Sequence, residues 1–192
     1  MKKLIIGGFS AICLIFANPI NAQEDGKVNY SKAELNFSKL DSSPMDLALY
    51  RDKDEAPVAR VIYSRPQKRE REVFGKLVPY GEVWRTGANE STELTLYRDM
   101  KVADEVVAAG NYTIYTIPNE KEWTIILNKS NNTWGAYEYT DEQDLVRINV
   151  PVRKAPNTIE ALSMAFEDSG NGADLLIGWD NSYVKVPFKN AK

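Results

Sequence analysis

The stretch LVRINVPV, residues 145–152, sets Val146, Ile148, Val150 and Val152 on one side of an extended chain and Leu145, Arg147, Asn149 and Pro151 on the other. YVKVPF, residues 183–188, does the same, with Val184, Val186 and Phe188 alternating with Tyr183, Lys185 and Pro187. A period of two marks a strand with one buried face, because successive side chains leave a pleated backbone on opposite sides. Six further runs share the β-branched and aromatic composition with less clean alternation: 58–64, 92–98, 112–117, 123–128, 159–166 and 174–179. Between them, PNEK (118–121), DSGNG (168–172) and DNS (180–182) are rich in residues that tolerate turn or left-handed backbone, and they are expected to close antiparallel hairpins. No segment carries a sustained helical stripe. Short antiparallel strands without helices to cover a parallel sheet predict an all-β antiparallel β-sandwich of roughly eight to ten strands, with a β-barrel as the competing closure.

One segment fits neither period. FGKLVPYGEVWRTGANEST, residues 74–92, is long and irregular, yet it carries Phe74, Leu77, Val78, Tyr80, Val83 and Trp84. Such apolar content predicts a loop packed onto the scaffold, and long irregular loops inside compact domains are where functional groups are most often displayed.

The N-terminus reads as a secretory signal peptide over 1–22. Lys2 and Lys3 precede the uncharged apolar run from Leu4 to Ala17, and the small, polar tail up to Ala22 suits cleavage there. Export to the periplasm, cell envelope or exterior follows, with no transmembrane segment once the leader is gone. Residues 23–43 form a polar spacer, and 44–192 a single β-sandwich domain without internal repeats. The only cysteine, Cys13, lies in the leader, so the mature chain forms no disulfide and depends on its hydrophobic core. The leader contains two lysines and no acid, so its loss moves the formal net charge from −3 to −5, which argues against nucleic acid as a partner.

Several ordered blocks resemble a known family. They are Tyr63-Ser64-Arg65-Pro66; Phe74-Gly75 and Leu77-Val78-Pro79-Tyr80-Gly81; Val83-Trp84-Arg85-Thr86-Gly87-Ala88-Asn89-Glu90; Ala109-Gly110 with Tyr112; Thr116-Ile117-Pro118; Trp123-Thr124 with Ile126 to Lys129; and Trp134-Gly135-Ala136-Tyr137. Together they look like the bacterial secreted domain of unknown function 2911, over roughly Pro44 to Phe188. The resemblance implies one domain of one kind. It assigns no activity and no catalytic residue.

The composition excludes much chemistry. The sequence has no histidine, and the mature chain no cysteine, so Ser-His and Cys-His nucleophiles, histidine bases, haem ligation through either residue and nearly all zinc or copper sites are ruled out. No cofactor is expected. Carboxylate pairs remain possible: Glu82 and Glu90 flank Trp84 and Arg85, and two facing carboxyls are what a glycosidase requires. Arg85 offers a planar fork suited to a carboxylate, phosphate or sugar hydroxyl pair, or alternatively a strut to Glu90 or backbone carbonyls. Asn89 follows the small residues Thr86, Gly87 and Ala88 and carries both donor and acceptor; the alternative is a turn with Gly87 at positive φ. Trp134 and Tyr137, beside the polar loop 128–133, join Trp84 as candidates for a stacking platform. Asp141, Glu142 and Asp144 lack the order and glycine of an EF-hand, and no metal site is expected there. Lys68 to Glu72 alternate in sign and read as a solvated part of the loop.

The expectation is therefore a secreted or periplasmic binding or interaction module with ligand-binding residues Trp84, Arg85, Asn89, Glu90, Trp134 and Tyr137. Its partner would be a small molecule, a glycan or an envelope protein. The alternative is a carboxylate-dependent hydrolase acting on a glycan or other polar substrate through Glu82 and Glu90.

Overall fold

The structure, a computed structural model, describes residues 37–191. The expected leader and spacer residues 23–36 lie outside the described residues. Among the described residues ten strands form two antiparallel sheets: β1 (Met45–Arg51), β2 (Pro57–Ser64), β3 (Thr92–Leu96), β4 (Met100–Val102), β5 (Glu105–Val107), β6 (Gly110–Pro118), β7 (Glu122–Asn128), β8 (Asp144–Pro151), β9 (Arg153–Asp168) and β10 (Gly172–Asn190). The larger sheet has the order β1-β2-β3-β6-β7-β8 and the smaller β5-β4-β10-β9, so the fold is a β-sandwich and not a closed barrel. Among the described residues no helix is long and apolar enough to cross a membrane.

The core lies between the sheets, and the alternation in the sequence explains which residues reach it. Val146 and Val150 of β8, and Val184, Val186 and Phe188 of β10, are buried, as are Leu94, Leu96, Ile114, Trp123, Ile125, Leu127 and Trp179. The two hairpin turns at Pro118–Lys121 and Asp168–Gly172 stand where the turn residues predict them, joining β6 to β7 and β9 to β10. Gly172 has φ +116, and a Cβ there would lie 2.1 Å from the Phe188 carbonyl oxygen, so that turn requires glycine.

The third expected turn is a correction. Asp180-Asn181-Ser182 does not reverse the chain; β10 runs through it without ending, and the pairing with β9 slips on both sides of Asp180, which has φ 55. Left-handed backbone inside a continuous ladder is a bulge, and a sequence suited to φ above zero fits a bulge as well as a turn. β1, β4 and β5 escape the periodic reading as well. β1 is an edge strand with Met45 and Leu47 exposed and Ala48 buried, and the other two have three residues each.

The edge strand β9 is closed by the chain that leaves β2. The Tyr63 hydroxyl accepts from Met164 N–H (2.8 Å), Leu162 N–H donates to the Pro66 carbonyl (3.0 Å), Arg65 Nε donates to the Leu162 carbonyl (3.1 Å), and Lys68 N–H to the Glu160 carbonyl (2.7 Å). Backbone groups that would otherwise offer a template for a foreign strand are thereby paired within the chain. This strap also fixes where the long loop begins.

Candidate functional site

From Arg65 to Ser91 the chain makes only isolated bridges and no strand, and it covers one end of the sandwich. Its anchor is aromatic. Phe74 and Trp84 insert beside Trp123 of the larger sheet and Trp179 of the smaller one: Phe74 packs on Trp123 at 4.8 Å between ring centroids, and Trp84 stacks on Trp179 at 6.0 Å with 19° between planes. Val73 and Val78 are buried in the same core. Beyond the end of β3, Trp84 takes its place along β6, exchanging two backbone hydrogen bonds with Thr116 (2.7 and 2.9 Å), and its indole Nε1 donates to the Gly87 carbonyl at 3.1 Å. The apolar residues of the loop thus act as a plug across both sheets, as their composition predicts.

The next residues are held in costly backbone. Thr86, not Gly87, takes the left-handed conformation, with φ 60, and Asn89 follows with φ 57. A β-branched residue there loses about 1–2 kcal/mol relative to ordinary backbone, and the surroundings hold it: Thr86 is buried, its hydroxyl donates to the Ile114 carbonyl (3.2 Å), and its own carbonyl accepts from Thr92 Oγ1 (2.9 Å). Arg69 (φ 49) and Glu70 (φ 63) form a second left-handed pair on the opposing part of the loop. Of eight non-glycine residues with positive φ among the described residues, these four and Asp180 belong to the loop or adjoin Trp179. Strain gathered in one place is a mark of functional sites.

Between these segments lies a recess of about 320 Å³, lined by Trp84, Arg85, Gly87 and Ala88, by Gln67, Arg69 and Arg71, by Leu77, Val78 and Trp179, and by Ser42, Ser43 and Pro66. The end of the polar spacer therefore forms part of its wall. The Arg85 side chain makes no hydrogen bond and no ion pair among the described residues, and its Nε is buried without an acceptor, while its backbone carbonyl accepts from Thr92 N–H (3.1 Å). The reading of Arg85 as a strut to Glu90 or to backbone carbonyls does not match this geometry. Arg71 is tied down, Nε donating to the Lys68 carbonyl (2.9 Å) and Nη2 to the Gln67 carbonyl (2.6 Å). Lys68 is not a solvated charge as its sequence context suggests. Its Nζ lies 2.9 Å from Asp180 Oδ1, close enough for an ion pair though not aligned as a hydrogen bond, and both side chains are largely buried.

The remaining candidates fall elsewhere. Asn89 and Glu90 do not line the recess; Asn89 Nδ2 donates to Asp41 Oδ1 (3.2 Å), and Glu90 bridges to Trp134. Trp134 and Tyr137 are exposed and stack on each other at 5.7 Å and 15°. The six ligand-binding candidates are thus divided between the recess, with Trp84 and Arg85, and a surface turn, with Asn89, Glu90, Trp134 and Tyr137. Glu82 and Glu90 are both exposed. The acidic turn is a structural lock: Asp144 accepts from Asn128 Nδ2, Tyr139 OH and Arg147 Nη1 (each 2.8 Å), and burial together with the Asp144 hydrogen bond pushes the Tyr139 hydroxyl up to about 12. Arg69, Arg71 and the Trp179 side of the recess were not singled out by sequence reasoning; the alternating charges at 68–72 were the one signal available.

No curated protein and no solved structure is significantly similar to the chain. Comparison with protein families matches residues 43–188, a span that includes the aromatic plug, nearly all of both sheets and all of the recess lining but Ser42, to the family described as Protein of unknown function (DUF2911). The chain belongs to that family.

Proposed function

We infer that the protein is a binding module whose site is the recess beside the long loop, and that its ligand presents acceptor oxygens to Arg85. One observation carries this reading: the guanidinium Nε of Arg85, next to left-handed Thr86, is buried with no acceptor among the described residues. A buried donor left unpaired costs about 1–3 kcal/mol, and proteins keep such groups where a ligand or a reaction completes them. The carboxylate hydrolase has no comparable support, since Glu82 and Glu90 are exposed and neither lines the recess.

The test is a melting-curve screen of the protein and its Arg85→Lys variant against glycans, small carboxylates and phosphate monoesters. A ligand of this site raises the melting temperature of the parent and not that of the variant, because an ammonium does not reproduce the planar fork. Equal shifts in both proteins for every ligand would remove Arg85 from the site. The basic and apolar character of residues 1–22 supports export of the module. Protein recovered from the cell envelope is then expected to begin at or near Gln23, which N-terminal sequencing checks; an intact Met1 would refute it.

A further inference from the structure

Arg69, Arg71 and Arg85 line the recess and no aspartate or glutamate does, in a chain whose formal net charge is −3. None of the three forms an ion pair among the described residues, where every salt bridge involves Arg65, Lys68, Arg98, Lys101, Arg147 or Lys185. The carboxylates nearby are engaged or outside: Glu160 Oε1 accepts the backbone N–H of Arg69 (2.8 Å), Asp180 pairs with Lys68, and Glu70 and Glu72 are exposed on the same turn. The positive charge of these three guanidiniums is therefore not ion-paired among the described residues. Two chain segments supply it, and both are held in place: Arg71 by its two bonds to backbone carbonyls, Arg69 by consecutive left-handed residues and the Glu160 contact, and Arg85 by the neighbouring Thr86.

Resting on the reading of the recess as the binding site, we propose that it takes a phosphoryl group carried by a small molecule with a flat or apolar body. A planar carboxylate is satisfied by one bidentate fork, whereas a phosphoryl group has three outer oxygens and fits guanidiniums arriving from more than one direction. A neutral sugar presents hydroxyl donors that need acceptors, and the wall offers only Ser42, Ser43 and Gln67 side chains for that purpose. Half-buried Trp84 and exposed Leu77 provide an apolar surface for the body of the ligand, backed by the buried Trp179 and Val78.

The full chain is titrated at low salt with phenyl phosphate, inorganic phosphate, benzoate and methyl glucoside, following tryptophan fluorescence and heat of binding. Phenyl phosphate is expected to bind about tenfold or more tightly than benzoate or methyl glucoside, and to weaken as salt rises. Arg69→Gln and Arg85→Met should each weaken it by roughly tenfold while melting close to the parent, with inorganic phosphate competing for the site. Benzoate or methyl glucoside binding as tightly as phenyl phosphate, with Arg85→Met abolishing that binding, would refute the phosphoryl ligand and leave the recess as the site. Indifference of all binding to Arg85→Met would refute both readings. Vesicles containing phosphatidylglycerol, compared with phosphatidylcholine alone, separate the sources: sedimentation with the anionic vesicles but no binding of phenyl phosphate would replace the small molecule by a lipid headgroup and overturn the proposal.

Discussion

Where β1 meets the β9–β10 hairpin, a cleft of about 790 Å³ is lined by Asp52, Asp54, Asp99 and Asp168 with Lys53 and Arg98; the recess at the other end of β1 is less than half that size and lined by three arginines. The larger cleft holds more charge, but most of it is already used. Asp52 pairs with Arg98 (3.0 Å) and accepts the backbone N–H groups of Asp54 and Ala56, Asp99 accepts from Ala109 N–H (2.9 Å), and Asp168 accepts from the Tyr50 hydroxyl (3.0 Å) and caps Gly170. In the recess no arginine side chain pairs with a carboxylate among the described residues. Neither cavity size nor the number of charges separates the two ends; what does is whether the protein itself satisfies those charges.

That contrast can be broken first at the aromatic plug. Trp84→Ala removes a ring that touches both sheets, and a loss of about 3 kcal/mol is expected in denaturant unfolding. A loss under about 1 kcal/mol would mean that the loop lies on the sandwich without holding it together. Next comes Lys68, a cation at the recess end whose ion pair with Asp180 is spent on structure. Lys68→Ala strands Asp180 in a largely buried bulge, and about 1–3 kcal/mol should disappear, smaller than for a fully buried pair because some solvent reaches both groups.

At the cleft end the expected effect is smaller and depends on pH. Tyr50→Phe deletes hydrogen bonds to Asp168 and the Gly172 carbonyl, about 1 kcal/mol near neutrality. Burial first, then the hydrogen bond and charge of Asp168, raise the Tyr50 hydroxyl above its ordinary 10.0. A phenol that holds its proton more tightly when folded contributes stability that is complete below pH 10 and is lost as pH climbs through the raised value. The parent should therefore lose stability above pH 10 more steeply than Tyr50→Phe does, which chemical denaturation across that range will show. Parallel curves would remove the linkage.

The smallest effect sharpens the comparison most. Arg85→Met should leave unfolding free energy within about 0.5 kcal/mol of the parent, or raise it, since an unpaired buried donor is replaced by an apolar chain of similar length. A loss above 1 kcal/mol would make Arg85 a structural residue, of the same kind as Arg98 in the cleft.

Much of the fold could be read directly. The alternations at 145–152 and 183–188 and two glycine- or proline-marked turns locate β8, the end of β10 and the hairpins, because a period of two and a left-handed requirement are local properties of the chain. The bulge at Asp180 could not, since the same local preference serves a turn or a slip of register, and only the partner strand decides between them. The site was legible in part. Trp84 and Arg85 lie where the long loop predicts, but Asn89 and Glu90, four and five residues after Arg85, face a different surface with Trp134.

By itself the sequence determined the strand class, the absence of histidine and, with one cysteine, of any disulfide within the chain, and the presence of a loop too apolar to remain free. These follow from composition and from periodicities of a few residues. The tertiary structure alone decided that Arg69, Arg71 and Arg85 share one recess, that Lys68 is spent on Asp180, and that Trp84 of the loop stacks on Trp179 of the smaller sheet behind the site. Those pairings join segments 14 to 112 positions apart in the chain, and whether a charge is paired or available depends on which distant segment folds against it, something no local pattern encodes.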